Sequence, residues 1–441
     1  MRKHFTVVLI LAALGSGFFT PALASTKTGA KCGKLGVTSI SSGKKYTCVR
    51  VGKKLIWDKG VLVPVVNPSP SPSESSPTTI SRSEPELSFI QILRSKAING
   101  KFPIEQVAFP IPNTLPTSWE DLYEKREGIA YKAWQSVSQS DGSAKTLPGT
   151  FNLSIGPNTN LVFKEIESAA SQVSNKFKFI TQPKTLSVIA FNYEDRDWAL
   201  GKLRELLVGE PDFYRKNQEQ AIVDMCSATN NACWSAMGYT TPNGKGVMLL
   251  GIVDKEKLNI LDPSFSNYLR FQKGLTVAHE YFHVMQLNVL GKNWFQMMFA
   301  PPSWFNEATA VFVENGVMNQ DSYDRYMQFR AVDSKLAYPS CGSTQDGCIQ
   351  VTEELLTKFL SLSNYANNWN DFPYGMKYEV SNRVIESLVA IKGFESIMEI
   401  YKYQAQDHTF EEAFQYVYGI SYNRAVPLLA KIVAEQFAQN R

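Results

Sequence analysis

Thr276-Val277-Ala278-His279-Glu280-Tyr281-Phe282-His283-Val284-Met285-Gln286 is the stretch on which the fold turns. Side chains four apart share one face of a helix, so His279 and His283 can aim ring nitrogens at one point. Glu280 is rotated from them by roughly a hundred degrees. It reaches what the rings hold without joining them. Val277, Ala278, Tyr281, Phe282, Val284, Met285 and Val289 make the helix apolar nearly all round, as in a core helix. Two histidines and a carboxylate there are costly unless something pairs them. One reading is a buried helix with hydrogen-bonded histidines. The other is a metal ion, and the chain places two of its four histidines here.

On the metal reading, His279-Glu280-x-x-His283 is the zinc-peptidase pattern, with Glu280 as general base. Such a site needs a third protein ligand. Downstream lies Pro301-Pro302-Ser303-Trp304-Phe305-Asn306-Glu307-Ala308-Thr309-Ala310-Val311-Phe312-Val313-Glu314. The pair of motifs resembles the gluzincin zinc peptidases, especially their aminopeptidase-like branch. There a helix reading roughly Trp-Leu-Asn-Glu-Gly-x-Ala-x-Tyr-x-Glu follows the histidines. The resemblance implies that Glu307 is the third zinc ligand. Ala308 departs from the usual Gly but keeps a small residue. Asn306 is read as part of the family motif. The family also uses a tyrosine of its helical lobe to stabilise the oxyanion, which implies Tyr374, with Tyr378 as runner-up. Glu314, two turns after Glu307, can accept the outer N–H of a ligating histidine and fix its tautomer; a solvated helix-end carboxylate is the alternative. His408, among polar neighbours, reads as adjacent to a helix cap.

Zincin folds carry an edge strand above the metal that pairs with extended substrate. Leu186 to Phe191 reads as one strand, and Gly246 to Val253 as a second, not far before the metal helix. Near the second place the resembling aminopeptidases have Gly-x-Met-Glu-Asn, whose Glu holds the substrate amine. This chain has Gly246-Val247-Met248-Leu249-Leu250. The missing Glu favours an endopeptidase, or a substrate without a free amine.

The N-terminus reads as an export signal over residues 1–24. Arg2 and Lys3 precede an apolar run from Phe5 to Phe19, and Ala22-Leu23-Ala24 fits a cleavage site. The run is short for an uncleaved anchor and is broken by Gly15, Ser16 and Gly17. No later stretch is long and apolar enough to span a membrane. Six cysteines fall into three local couples: Cys32 with Cys48, Cys226 with Cys233, and Cys341 with Cys348. Export and even number predict three sequential disulfides; Cys-x-x-Cys spacing for a cysteine metal site is absent. Together these features predict a secreted or cell-surface chain.

Residues 25–62 read as a small β module closed by Cys32–Cys48. Eight Lys or Arg lie between Lys27 and Lys54, with no acid among them. Residues 27–58 therefore suit contact with anionic cell-wall polymers or a membrane surface, or form a solvated basic face. The segment resembles short cysteine-paired modules near the N-termini of secreted actinobacterial proteins. Residues 63–85, rich in Ser and Pro, are a linker.

Residues 86–441 remain for a metallopeptidase-like domain. Helices are expected at Trp119–Gln139, Leu161–Phe177 and Asp197–Leu207, with Asn315-Gly316 stopping the ligand helix. A mainly helical C-terminal run follows, from Ser322 to Phe437. The expected class is α+β, a zincin-like lobe with a helical lobe packed against it. Net charge of +4 on 441 residues gives nucleic-acid binding no electrostatic support. Two function classes follow: a secreted zinc-dependent peptidase acting on peptide or protein, or a cell-surface binding protein with a structural zinc site. A structural site needs no general base, so Glu280 favours the enzyme.

Overall fold

The computed structural model describes residues 28–32, 38–41, 44–62, 107–140, 147–228, 231–254, 264–291, 300–333, 351–361, 372 and 374–439. The expected export signal and the linker lie outside them. The described residues divide into two compact units, one within Ser16–Glu86 and one within Leu87–Arg441.

In the smaller unit, strand β2 (Lys44–Val51) pairs antiparallel with β1 (Thr38–Ser41), β3 (Lys54–Trp57) and β4 (Val61–Leu62). Cys48 is buried and bonded to Cys32. So small a sheet has little apolar area to bury, and a disulfide closing a loop of about fifteen residues contributes about 3 kcal/mol.

The larger unit is built on one four-stranded sheet. Strands β5 (Thr150–Ile155), β6 (Thr185–Phe191) and β10 (Gly246–Gly251) run parallel, and β9 (Ala236–Thr240) closes one edge antiparallel to β10. A hairpin of β7 (Cys226–Ser227) and β8 (Ala232–Cys233), cross-linked by Cys226–Cys233, precedes β9. Two of the three expected disulfides are thus formed among the described residues. The third expected pair, Cys341 with Cys348, lies outside the described residues.

Alternation sorts the two faces of the sheet. Ile189, Phe191, Val247, Leu249 and Tyr239 pack on one side with residues of α3 (Arg196–Leu206) and α4 (Asp212–Asp224). Leu186, Val188, Ala190, Met248 and Leu250 face the main core on the other.

That core holds α1 (Ile129–Gln139), α2 (Ile166–Lys176), α6 (Leu275–Leu290) and α7 (Ser303–Met318), with α5 (Ser264–Gln272) leading into α6. The C-terminal helices are α8 (Tyr323–Asp333), α9 (Glu353–Leu360), α10 (Glu379–Lys392), α11 (Ser396–Gln404), α12 (Phe410–Tyr418) and α13 (Tyr422–Gln439), close to the periodicity of the sequence. The class is mixed helix and sheet. The expected helix from Trp119 begins only at Ile129. Asp121 accepts from the backbone N–H groups of Thr117 and Ser118 and holds the preceding residues in turns.

Two expectations are corrected. Gly246–Gly251 is an inner strand, paired on both sides and buried throughout. A continuous apolar run is the mark of burial on both faces, which suits the middle of a sheet. The edge beside α6 is Ala236–Thr240. Nor does Asn315-Gly316 end its helix, which continues to Met318. Asn315 is buried and donates to the Tyr326 carbonyl at 3.1 Å. Gly316 is the close-contact point for α1, since a Cβ there would lie 3.1 Å from Val137.

Helix α6 starts after Gly274, in the left-handed region at φ 75°, and ends before Gly291 at φ 54°. It lies directly under β9. The Thr240 hydroxyl donates to the Val284 carbonyl at 2.9 Å. A Cβ on Gly238 would sit 1.8 Å from the Glu280 carbonyl oxygen, so only glycine allows this approach. Gly238→Ala should therefore destabilise the protein by about 1–3 kcal/mol, seen as a lower denaturant midpoint. Gly201→Ala on α3, where an added Cβ meets nothing within 4 Å, should instead gain roughly 0.5–1 kcal/mol.

Candidate metal centre

Helices α6 and α7 pack together and bring His279, His283 and Glu307 to one point. Their ligand atoms all lie within 4.8 Å of one another. His279 Nε2 and His283 Nε2 are 3.1 Å apart, and Glu307 Oε2 lies 3.5 Å from the first and 3.3 Å from the second. Bonds of about 2.0–2.1 Å to a tetrahedral ion set its ligand atoms roughly 3.3–3.4 Å apart. The triangle therefore has the size of one face of such a tetrahedron, and this group can hold a metal ion.

Each ring is also held from behind. His279 Nδ1 lies 2.8 Å from Glu314 Oε2, and the Glu314 side chain is fully buried. Arg270, from α5, pairs with both Glu314 oxygens, Nε to Oε1 at 2.9 Å and Nη2 to Oε2 at 2.5 Å. Arg270 Nη2 also approaches His279 Nδ1 at 3.2 Å. The Glu314 carboxylate only accepts, so Nδ1–H is directed at it, and in the neutral ring the Nε2 lone pair faces the centre. His283 Nδ1 lies 2.7 Å from Gln286 Oε1, a neutral partner on the same helix. Spacing pointed to Glu314. Arg270 and Gln286 were not singled out in the sequence, because neither is a usual metal ligand and Arg270 meets the site only through the packing of α5 on α6.

Glu280, beside His279, is 6% exposed. Burial raises its carboxyl above the usual carboxylate range, against the lowering pull of His279 and His283. Desolvation also works against an ionised Glu307, but His283 and His279 outweigh it and keep that carboxyl well below its ordinary value. Glu314 is likewise lowered, burial being overcome by Arg270 and His279. Tyr374 lies on a 3-10 turn, Tyr374–Met376, just before α10; its side chain is outside the described residues. Tyr378 is half-buried at the start of α10, with Lys377 Nζ 5.6 Å from its ring centre. His408 is remote in role: it stacks on Tyr403 at 3.9 Å and precedes the capping residue Thr409 of α12.

The same electrostatics give a pH dependence. For His279, burial opposes protonation, but the carboxylates of Glu314 and Glu307 prevail and push the ring up to about 9. A folded pKa above the ordinary 6.5 contributes stability that is complete below 6.5 and lost as pH rises through about 9. Chelator-treated protein should therefore show a melting temperature that falls across this interval. Metal-saturated protein, in which the ring nitrogen is held without its proton, should lack this component. Parallel curves for the two forms would count against His279 as a ligand.

Compared with known protein families, curated proteins and solved structures, the chain matches none of them.

Proposed function

We propose that this chain is a secreted zinc-dependent peptidase of gluzincin type, cleaving internal peptide bonds. The observation that carries the reading is the triangle of His279, His283 and Glu307 with a buried carboxyl of raised proton affinity, Glu280, beside it. A purely structural metal site has no use for that carboxyl. Two nitrogens and one carboxylate oxygen are a zinc donor set that leaves a coordination position open. A zinc ion bound there would polarise the scissile carbonyl and lower the pKa of water towards about 7.

The protein's own groups do the rest. Glu280 accepts a proton from water as its oxygen attacks the peptide carbonyl carbon, then returns that proton to the departing amine as the C–N bond breaks. The raised proton affinity of Glu280 suits it to both steps. Glu314 and Arg270 keep His279 in one tautomer. Tyr374, near the start of α10, is the group proposed to donate to the developing oxyanion, as the family resemblance implies.

The β9 edge offers main-chain groups for an extended substrate beside Glu280. Ala236-Met237-Gly238-Tyr239-Thr240 carries no acid, and neither does Gly246-Val247-Met248-Leu249-Leu250. No carboxylate on either strand is placed to hold a substrate amine, which favours cleavage within chains. Disulfides at Cys32–Cys48 and Cys226–Cys233 fit an oxidising compartment. Among the described residues no helix is long and apolar enough to cross a membrane. The basic residues 27–58 are proposed to meet anionic cell-wall polymer or membrane surface.

Glu280→Gln keeps the shape of the side chain and removes the base. That variant should bind zinc as the parent does and lose turnover of an unstructured protein by roughly a hundred- to ten-thousandfold. Undiminished hydrolysis by Glu280→Gln would remove this mechanism.

A further inference from the structure

Resting on the reading of the centre as a metal site, we propose that Tyr401 is a positioning residue for His283, acting through Gln286. Tyr401 belongs to α11, far along the chain from both motifs, yet its hydroxyl reaches the back of the centre. Gln286 Nε2 has three acceptors around it: Tyr401 OH at 2.8 Å, Thr309 Oγ1 at 2.9 Å and the Asn306 carbonyl at 3.1 Å. The two hydroxyls have spent their protons elsewhere. Tyr401 donates to Asn306 Oδ1 at 2.8 Å, and Thr309 donates to the Phe305 carbonyl at 2.7 Å. Both therefore present lone pairs to Gln286.

This accounting fixes the amide. Its NH2 must face Tyr401 and Thr309, so its Oε1 must face His283 Nδ1, 2.7 Å away. An acceptor at that position selects the Nδ1–H tautomer and leaves the lone pair on Nε2, pointing at His279 and Glu307. Tyr401 and Thr309 are fully buried and Gln286 is 2% exposed, so the inner part of the network is shielded from solvent, while Asn306 and His283 are partly exposed. Asn306 is the residue before Glu307. The same hydroxyl of Tyr401 thus braces one end of the ligand helix α7 as well as the ring on α6. His279 is oriented by a charged pair and His283 by a neutral relay that runs to a C-terminal helix.

The test uses the full chain with three variants, Tyr401→Phe, Gln286→Ala and Gln286→Glu. Zinc affinity is measured by competition with a coloured chelator. The imidazole nitrogen spectrum of chelated protein, at a pH where the ring is neutral, reports the tautomer of His283. With four histidines in the chain, its signals are assignable by single replacement. Tyr401→Phe and Gln286→Ala should weaken zinc binding by about ten- to a hundredfold and mix the His283 tautomers. Gln286→Glu keeps an acceptor towards His283 and should restore the Nδ1–H form. A merely structural brace would not distinguish Gln286→Glu from Gln286→Ala. An unchanged tautomer in both Tyr401→Phe and Gln286→Ala overturns the proposal, as does equal loss in all three variants. Failure of the unmodified chain to bind zinc would sink the metal reading instead; the tautomer measurement needs no metal and decides the positioning claim separately.

Discussion

Three carboxylates, the buried Glu280 and Glu314 and the half-buried Glu307, share the interior of an apolar helix pair with the guanidinium of Arg270. Charges out of water are tolerated only when paired. Arg270 answers Glu314, and an excess of negative charge is left facing His279 and His283. The protein's own reply is to hold a proton on His279, whose pKa is raised to about 9. A divalent cation would meet the same demand with two positive charges, replacing that proton and taking the ring nitrogens that converge on one point. The arrangement can therefore hold a cation by charge as well as by geometry.

The fold serves that constraint. Helix α6 can carry these residues because it is enclosed by β9 on one side and α7 on another, and Gly238 lets the strand lie against its backbone at Glu280. The antiparallel edge strand leaves one row of main-chain groups without a partner strand among the described residues. The two histidines, the buried Glu280 and a strand edge are thus brought within one small region. The helices after α8 give Tyr401 its position behind the second histidine, so the C-terminal region is part of the centre and not only a cover for it.

Much of this was legible in the sequence where the information was local. His279 and His283 declare themselves by spacing four on a helix, and Glu314 by lying two turns beyond Glu307. The disulfides Cys32–Cys48 and Cys226–Cys233 join near neighbours in the chain, so closeness alone paired them. Glu307 itself was reached through the family resemblance, because a ligand on a separate helix leaves no trace in periodicity. The C-terminal helices showed through their 3.6-residue pattern. The edge strand did not: Ala236-Met237-Gly238-Tyr239-Thr240 has weak strand character, and the strongly apolar Gly246–Gly251 drew the assignment to itself. Arg270, Gln286 and Tyr401 were also missed. Arg270 and Tyr401 reach the site only through packing of α5 and α11 on α6, whereas Gln286 lies one turn after His283 on the same helix, a spacing that could have marked it. Gly316 misled because glycine is both a helix stop and a close-contact residue, and only the presence of Val137 opposite decides between them.

His279, His283 and Glu307 are proposed to bind one zinc ion. Anomalous diffraction at the zinc absorption edge, from crystals of the purified chain grown without added metal, tests it directly. One strong peak is expected about 2.0–2.2 Å from His279 Nε2, His283 Nε2 and a Glu307 carboxylate oxygen, with Glu280 outside bonding distance. No peak after zinc supplementation, or a peak held by Glu280 and Glu314 instead, would contradict it.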